Sequence, residues 1–355
     1  MASASSPAKD RSCVILATND YSSHTYTLHH IDVAPFFSNP DPDTKAMDDG
    51  IPLPPASARF DRPPDARGCS VDFHLLRGGN YDDVMVVSTD PGRRTVIYDV
   101  ARRAVRGGPM MRATKGSPVS VAVGDGLFVL ERVIDSGGRS FEALRYDRLQ
   151  EDWFWHVLPL PPYVRDPGYK RSSVTALTPA AGGRIWATTE RVGTYSFDTR
   201  RSSWRKEGDW ALPFLGEAQH VPGHGDEGLS FGFLAVESPL GYTSRNGPLC
   251  AVDLATATAE SPPVVRGVWE EFKPPGEWTP SSSSLVHLGS GKICVFRFFH
   301  TDPTPSSRNN ENIVVITAVE VSPQDGDNGG EIKMVKHRSK CIRFDKHHGH
   351  ITWTL

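Results

Sequence analysis

An acidic residue at the end of an apolar or aromatic run recurs along this chain, and that repeat constrains the fold more than any other feature. The copies are His30-Ile-Asp32, Ile97-Tyr-Asp99, Arg145-Tyr-Asp147, Ser196-Phe-Asp198, Ala251-Val-Asp253 and a weaker sixth, Ala318-Val-Glu320. Their acidic residues are separated by 67, 48, 51, 55 and 67 positions. A loose period of about 50 residues is typical of arrays in which one supersecondary unit packs on the next.

Two of the copies share a longer pattern. In the third and fourth copies a tryptophan follows the aspartate by six residues (Trp153 and Trp204), and a Leu-Pro step follows each tryptophan at residues 158–159 and 212–213. An aspartate at a strand end can accept hydrogen bonds from the turn backbone. We expect each tryptophan to lie on the returning strand and to cover the core between neighbouring sheets. The proline then ends that strand because it cannot donate to the ladder.

Further β-rich runs lie upstream of each acidic residue. They are 13–18, 71–76 with 84–88, 119–123 with 127–133, 174–178 with 185–189, 229–236, and 284–288 with 292–299. Gly-Asp-Gly at 124–126 and Gly-Gly at 182–183 lie between paired runs, where hairpins need residues that tolerate positive φ. No sustained 3.6-residue apolar period occurs. The order of strand, tight turn, strand and acidic turn, repeated six times, predicts an all-β fold. We expect a single six-bladed β-propeller of four-stranded antiparallel blades, kelch-like in its period.

The propeller prediction also sets the domain organisation. Residues 1–10 are predicted to be a flexible N-terminus, and residues 11–355 to be one domain closed by a strand at 351–355. Three polar stretches near 39–50, 302–312 and 323–330 are interpreted as surface insertions. The alternative is two β-sandwiches that meet near residues 161–172; it accounts for the strand density but not for the acidic period.

Composition excludes several classes of protein. The 39 basic and 42 acidic residues give a net charge of −3, which does not favour a nucleic-acid binder. No apolar run approaches 18 residues, so no membrane span is expected, and the polar start (MASASSPAKD) lacks a secretory signal. The five scattered cysteines contain no C-x-x-C pair and mostly lie in apolar runs, which indicates reduced, buried thiols. A cytoplasmic or nuclear, monomeric protein is the expectation.

Several longer runs resemble a known family. They are residues 26–33, Gly183-Arg-Ile-Trp186, 192–199, Gly208-Asp-Trp-Ala-Leu-Pro-Phe214, 263–269, 286–291 and 334–339. Together they resemble the plant family known as domain of unknown function 1668, which is expanded in grasses. The resemblance implies a kelch-related propeller and carries no catalytic residues over to this chain. One departure is Gly228-Leu-Ser-Phe-Gly232, where family members often have the aromatic-rich Gly-Leu-Trp-Phe-Gly.

The same pentapeptide fits the Gly-x-Ser-x-Gly nucleophile pattern, with Ser230 as the serine. That pattern works at a strained strand-to-helix turn, whereas here strand-like residues follow. A second cluster, His220-Val-Pro-Gly-His224-Gly-Asp226-Glu227, contains four residues of metal-ligating type. Its proline and glycines prevent a helix from aligning the two histidines, so a connecting loop is favoured. The histidines of Lys346–His350 are interpreted as part of a solvated tail or of the closing strand.

The remaining motifs favour structural interpretations as well. Leu288-Gly-Ser-Gly-Lys292 lacks the first glycine and the hydroxyl of a phosphate loop, and is predicted to be a hairpin turn. The basic clusters 93–94, 102–103, 200–201 and 336–340 are short, and we expect solvated turn charges rather than a nucleic-acid groove. Adjacent carboxylates such as Glu270-Glu271 have no spacing that indicates acid–base work. The sequence therefore assigns no catalytic, cofactor-binding or metal-binding residue, and no cofactor.

Two functions remain open at this stage. The first is a non-catalytic scaffold that recognises an unidentified protein partner through loops on one face of the ring. Because the strand pattern begins by residue 13, no N-terminal helical adaptor is expected. The alternative is a propeller enzyme of hydrolase or oxidase type, or a small-molecule or glycan binder, that uses the central channel; this alternative rests on analogy of fold.

Overall fold

A computed structural model of the chain describes residues 11–20, 23, 25–38, 50–61, 70–77, 84–135, 138–223, 228–237, 243–244, 246–301, 312–323, 332–344 and 351–355. The predicted N-terminal segment 1–10 and almost all of the three predicted insertions lie outside these residues. The strands are β1 (Cys13–Asp20), β2 (Thr25–Asp32), β3 (Ala56–Asp61), β4 (Asp72–Arg77), β5 (Val84–Thr89), β6 (Thr95–Asp99), β7 (Ala104–Gly107), β8 (Val119–Val123), β9 (Gly126–Leu130), β10 (Phe141–Asp147), β11 (Asp152–Val157), β12 (Val174–Ala180), β13 (Arg184–Thr189), β14 (Gly193–Asp198), β15 (Ser203–Gly208), β16 (Phe214–Val221), β17 (Leu229–Leu234), β18 (Val236–Glu237), β19 (Thr243–Ser244), β20 (Leu249–Asp253), β21 (Val264–Trp269), β22 (Thr279–Gly289), β23 (Lys292–His300), β24 (Asn312–Pro323), β25 (Ile332–Phe344) and β26 (Ile351–Thr354). Four short 3-10 helices complete the described elements: Ala34–Phe37, Pro162–Arg165, Ala181–Gly183 and Leu254–Thr256.

The long strands form six antiparallel units of four strands, which we call blades 1 to 6. The strands of each blade are given in order from the innermost to the outermost. Their orders are β26-β1-β2-β3, β4-β5-β6-β7, β8-β9-β10-β11, β12-β13-β14-β15, β16-β17-β20-β21 and β22-β23-β24-β25. Blades 4 and 5 also touch through a short parallel pairing of their innermost strands, Ala176 with Gly216 and Leu177 with Glu217. The predicted all-β propeller of four-stranded antiparallel blades is confirmed.

Apolar clusters between neighbouring blades close these units into a ring. Blades 3 and 4 share one such core, in which the ring centroids of Phe141 and Phe197 lie 4.9 Å apart. Blades 6 and 1 share another, which includes Leu16 and Phe296. The C-terminal strand β26 pairs with the N-terminal strand β1, as the predicted closing strand requires. Tyr163 lies inside the core of blades 3 and 4, so the stretch 161–172 is not a junction between two sandwiches.

The acidic residues of the repeat end the third strand of blades 1 to 5. Each aspartate accepts hydrogen bonds from the backbone of the turn that follows. The distances from N to Oδ1 are 3.0 Å for Ala34 to Asp32, 2.9 Å for Arg102 to Asp99, 2.8 Å for Leu149 to Asp147, 2.9 Å for Arg201 to Asp198 and 3.2 Å for Ala255 to Asp253. These bonds confirm the predicted role of the aspartates. The sixth copy differs, because Glu320 lies within β24 and its Oε2 is 3.2 Å from Nε2 of His337.

The two repeat tryptophans lie on the fourth strands, as the pattern predicts. Trp153 packs into the cluster between blades 2 and 3, and Trp204 packs against Phe141 and Phe197 between blades 3 and 4. Nε1 of Trp204 donates to the carbonyl oxygen of Pro159 at 2.8 Å, so the Leu-Pro step of one blade is tied to the tryptophan of the next. The indole therefore fixes both the packing and the spacing of adjacent blades.

The hairpin predictions hold at the glycine turns, whereas some strand ends differ. Gly124 has φ of +60°, and Gly182 and Gly183 have φ of +69° and +75°, the region that favours glycine. The predicted run 127–133 ends at Leu130, and the run 229–236 is interrupted at Ala235. The cluster 336–340 lies within β25 rather than in a turn.

Strand direction defines two faces of the ring. Because the strands of a blade alternate in direction, the hairpins that join its first to its second strand and its third to its fourth strand lie on one side. We call this side the turn face. The opposite face carries the loops between second and third strands and the connections between blades.

Candidate functional site

The candidate site is the central channel, a cavity of about 1070 Å³ lined by the innermost strands of the blades. Several of these strands contribute polar side chains to the wall of the cavity. The polar side chains that line it include Asp72, His74, Ser120, Glu217, Gln219, His220, Ser284, His287 and Thr354, with Arg11, Arg132, Arg145 and Arg200 toward its two ends. Cavities of this size that gather convergent polar groups are where ligands bind in most folds.

A hydrogen-bonded chain joins the inner strands of blades 2, 3 and 5. Nδ1 of His74 lies 2.8 Å from Oγ of Ser120, and Nε2 of His74 lies 3.1 Å from Oγ1 of Thr89. The backbone N–H of Ser120 donates to Oε1 of Glu217 at 3.4 Å. Burial lowers the pKa of His74 to about 4, so the ring is neutral at pH 7. A serine and a neutral imidazole thus share a hydrogen bond at the wall of the cavity.

Asp72 lies two residues from His74 on β4 and lines the same cavity. Burial raises the pKa of its carboxyl group to about 7, and the positive charge of Arg132 acts in the opposite direction. Desolvation therefore dominates over ion pairing at this position. A carboxyl group with a pKa near 7 can give or take a proton at neutral pH, which makes it a functional candidate.

Ser230, the serine of the Gly-x-Ser-x-Gly pattern, lies in the middle of β17. It is fully buried and pairs across the sheet with His220 and Val252. Oγ1 of Thr178 donates to Oγ of Ser230 at 3.1 Å. Since the backbone here is a paired strand and not a strand-to-helix turn, the position lacks the exposed geometry of a nucleophile elbow.

The histidine-rich loop is described only in part. His220 is the penultimate residue of β16 and lines the channel; its Nδ1 is buried and has no hydrogen-bond partner among the described residues. Burial lowers the pKa of this imidazole. His224, Asp226 and Glu227 lie outside the described residues, as do the histidines of 346–350. Across the described part of the chain, no group of three or more His, Cys, Asp or Glu residues could hold a metal ion.

Other sequence motifs occupy structural positions. Gly289–Lys292 is the hairpin between β22 and β23, as predicted. The basic pairs 93–94, 102–103 and 200–201 lie in turns, also as predicted. Cys250, Cys294 and Cys341 are buried and form no disulfide among the described residues, as expected for the apolar runs; Cys69 lies outside the described residues.

Apart from His220 and Arg200, most polar residues of the channel were not singled out from the sequence, although a signal was present. Asp72 and His74, and likewise Glu217 and Gln219, are polar residues two positions apart in strands that otherwise carry core residues. Residues at i and i+2 point to the same side of a strand. Polar pairs at this spacing therefore indicate a strand with one face toward the channel.

A family model matches most of the chain. The family described as "Protein of unknown function (DUF1668)" matches residues 11–342. The chain belongs to the DUF1668 family. The resemblance inferred from the longer motifs is therefore confirmed for the family itself.

More distant comparisons concern solved structures. Among curated proteins, none matches this DUF1668 chain. The crystal structure of the N-terminal domain of Nup159 is 13% identical, with a TM-score of 0.41 over 83% of this chain and 72% of that chain. The crystal structure of the WD40 domain of SCAP from fission yeast is 8% identical, with a TM-score of 0.36 over 96% of this chain and 90% of that chain. Within the described residues, no helix is long and apolar enough to cross a membrane.

Proposed function

We propose that this DUF1668 protein is a non-catalytic scaffold that recognises a partner protein through loops on the turn face. The supporting observation is a group of three neighbouring turns, in blades 2, 3 and 4. They share a backbone fixed by an aspartate and expose similar side chains, five arginines and one leucine: Arg102, Arg103, Arg148, Leu149, Arg200 and Arg201. Exposed side chains on loops that a rigid scaffold positions are typical of recognition surfaces.

The chemistry of these turns favours an acidic partner that also offers an apolar contact. Asp99, Asp147 and Asp198 direct carboxylate oxygens at turn N–H groups. Arg102 also pairs with Asp99 at 2.6 Å, and the arginines of all three turns are exposed. Leu149 is 96% exposed at the tip of the blade 3 turn. A large apolar side chain beside cations can serve as an anchor for a partner of complementary charge.

The test compares two charge-altering variants in affinity capture from cells that express the protein. Arg148→Glu/Leu149→Asp changes the turn face, and Arg165→Glu/Lys170→Glu changes exposed cations of the connection between blades 3 and 4 on the opposite face. We expect the wild type and the second variant to capture the same partner protein in similar amounts. The first variant should capture at least tenfold less of it. Equal retention by both variants, or no reproducible partner, would contradict the proposal.

The same proposal includes the kind of propeller, the oligomeric state and the domain bounds. We propose a kelch-like propeller and a monomeric protein, with residues 11–355 as one domain. A cytoplasmic or nuclear location is supported by the buried thiols of Cys250 and Cys294, whose pKa values burial raises to about 12. Thiols of this kind are typical of reducing compartments.

The second candidate function is hydrolysis or ligand binding in the channel, and the Ser120–His74 hydrogen bond favours it. A fluorophosphonate probe tests it directly: the Ser120 oxygen would bond to phosphorus, fluoride would leave, and His74 would take the proton. Labelling that is lost in Ser120→Ala would support an enzyme. We expect no labelling, because a base with a pKa of about 4 lies roughly three units below the optimum for general-base catalysis at pH 7.

A further inference from the structure

Two cations from adjacent blades, Arg145 and Arg200, line the channel at its turn-face end. Arg145 lies on β10 of blade 3, opposite Gly126, and Arg200 lies on the turn between β14 and β15 of blade 4. Nη2 of Arg145 donates to the carbonyl oxygen of Thr199 at 2.8 Å, so its guanidinium group adjoins the residue that precedes Arg200. Both side chains line the cavity.

The surroundings hold each side chain at the wall. The guanidinium carbon of Arg145 lies 5.3 Å from the centroid of the Phe128 ring, a cation–π distance. Arg200 folds over the neighbouring hairpin of its own blade, since a Cβ built on Gly183 would lie 3.8 Å from its Nε. The guanidinium group of Arg145 thus packs on an aromatic ring, and that of Arg200 lies near a glycine turn. Both residues line the same cavity.

Within the described part of the chain, the nearest carboxylate to act on Arg145 is that of Asp125, and it makes no ion pair with either cation. Among the residues that the structure describes, Arg145 and Arg200 form no ion pair, and Arg145 uses one of its five N–H donors. Arg145 is half-buried, and burial lowers its pKa while Asp125 acts in the opposite direction. Asp125 also lines the cavity, as does Arg11. A half-buried charge such as that of Arg145 is unfavourable without an ion-pair partner, and a bound anion would stabilise it; the exposed Arg200 would add a second cation beside it.

We propose that Arg145 and Arg200 form a binding site for an oxyanion, a phosphate or carboxylate group of a small molecule that enters the channel from the turn face. Guanidinium groups present planar forks of N–H donors that match phosphate and carboxylate oxygens, and such charge-assisted bonds are stronger than neutral ones. The adjoining cavity of about 1070 Å³ has room for the rest of an organic ligand. Arg200 also belongs to the turns of the proposed partner surface, but the anion is tested on the purified protein alone, so failure of this proposal is distinguishable from failure of the partner proposal.

The test is calorimetric titration of the purified full-length protein with inorganic phosphate and, separately, with succinate at constant ionic strength. We expect saturable binding of at least one anion. Its affinity should fall at least tenfold in Arg145→Met and in Arg200→Met. Binding of phosphate alone would identify a phosphate ligand, and binding of succinate alone a carboxylate.

Two further variants separate a built site from diffuse surface charge. Arg201→Met removes an exposed cation that follows Arg200 in the sequence but does not line the cavity. The affinity of this variant for the anion should stay within twofold of the wild type. Asp125→Asn removes the opposing carboxylate and should tighten binding. Because Arg200 is exposed, its variant should keep the wild-type melting temperature even if Arg145→Met affects folding. No saturable binding of either anion, or an equal loss in Arg201→Met and Arg200→Met, would overturn the proposal.

Discussion

The buried ion pair between Lys115 and Glu142 gives the sharpest stability prediction. Their Nζ and Oε1 atoms lie 2.5 Å apart, with side-chain exposures of 2% and 0%. Glu142 also accepts hydrogen bonds from the backbone N–H groups of Arg112 at 2.8 Å and Ala113 at 3.0 Å. Lys115 donates to the carbonyl oxygens of Ala113 and Arg139. The pair therefore fastens the connection between blades 2 and 3 to strand β10.

The variant Glu142→Gln keeps the shape of the side chain and removes its charge. Lys115 is then a buried cation without a counter-charge, and the amide nitrogen of Gln faces a donor where a carboxylate oxygen was. Breaking a buried pair in this way costs about 3–5 kcal/mol. With an unfolding entropy of roughly 2 cal/mol/K for each of 355 residues, this corresponds to a fall in melting temperature of about 4–7 °C.

The assay is thermal unfolding followed by circular dichroism. The control is Asp61→Asn, whose ion pair with Arg59 is exposed on both sides and should contribute less than about 1 kcal/mol. The double variant Lys115→Met/Glu142→Gln should lose at least about 2 kcal/mol less than the sum of the two single losses, because the second change removes the orphaned charge. A melting temperature within 1 °C of the wild type for Glu142→Gln would refute the reasoning.

Three further predictions concern the channel, a second buried pair and the turns. The carboxyl group of Asp72 titrates near 3.8 when unfolded and near 7 when folded, so the native state holds a proton that the unfolded state lacks, and stability falls as the pH rises from about 4 to about 7. Asp72→Asn should therefore match the wild type at pH 4 and melt at a higher temperature at pH 8; an equal difference at both pH values would contradict this. Arg297→Lys should cost about 2–4 kcal/mol, because it breaks a buried bidentate contact with Glu271 at 2.6 and 3.0 Å. Arg205→Lys alters an equally bidentate contact with Glu207 in which the arginine is 64% exposed, and it should cost less than about 1 kcal/mol. Similar losses for the two variants in denaturant titrations would show that burial of the arginine is not the cause. Asp147→Ala should lose about 1–2 kcal/mol with the two turn N–H bonds, whereas Asp147→Asn, which keeps the acceptor oxygen, should melt within about 1 °C of the wild type.

Parts of the architecture could be predicted because local rules govern them. An aspartate at a strand end caps its turn from within a few residues, so Asp99 and Asp198 mark third strands in the sequence itself. Glu320 does not follow the rule, since β24 and β25 continue to pair beyond it and it contacts His337 instead. The residues of outer strand β7 are all exposed and have no apolar pattern, so the sequence does not predict this strand.

The sequence by itself determined the repeating unit of this protein, the tryptophan positions and the turns, because each depends on neighbours within about ten residues. Only the tertiary structure decided which residues come together at the wall of the channel. His74, Ser120 and Glu217 are far apart in the chain and come together because the first strand of every blade faces the ring centre. Burial at that centre, which no local pattern records, raises the pKa of Asp72 and lowers that of His74. The same closure of the ring brings Arg145 beside Arg200, so the proposed anion site exists only in the folded propeller.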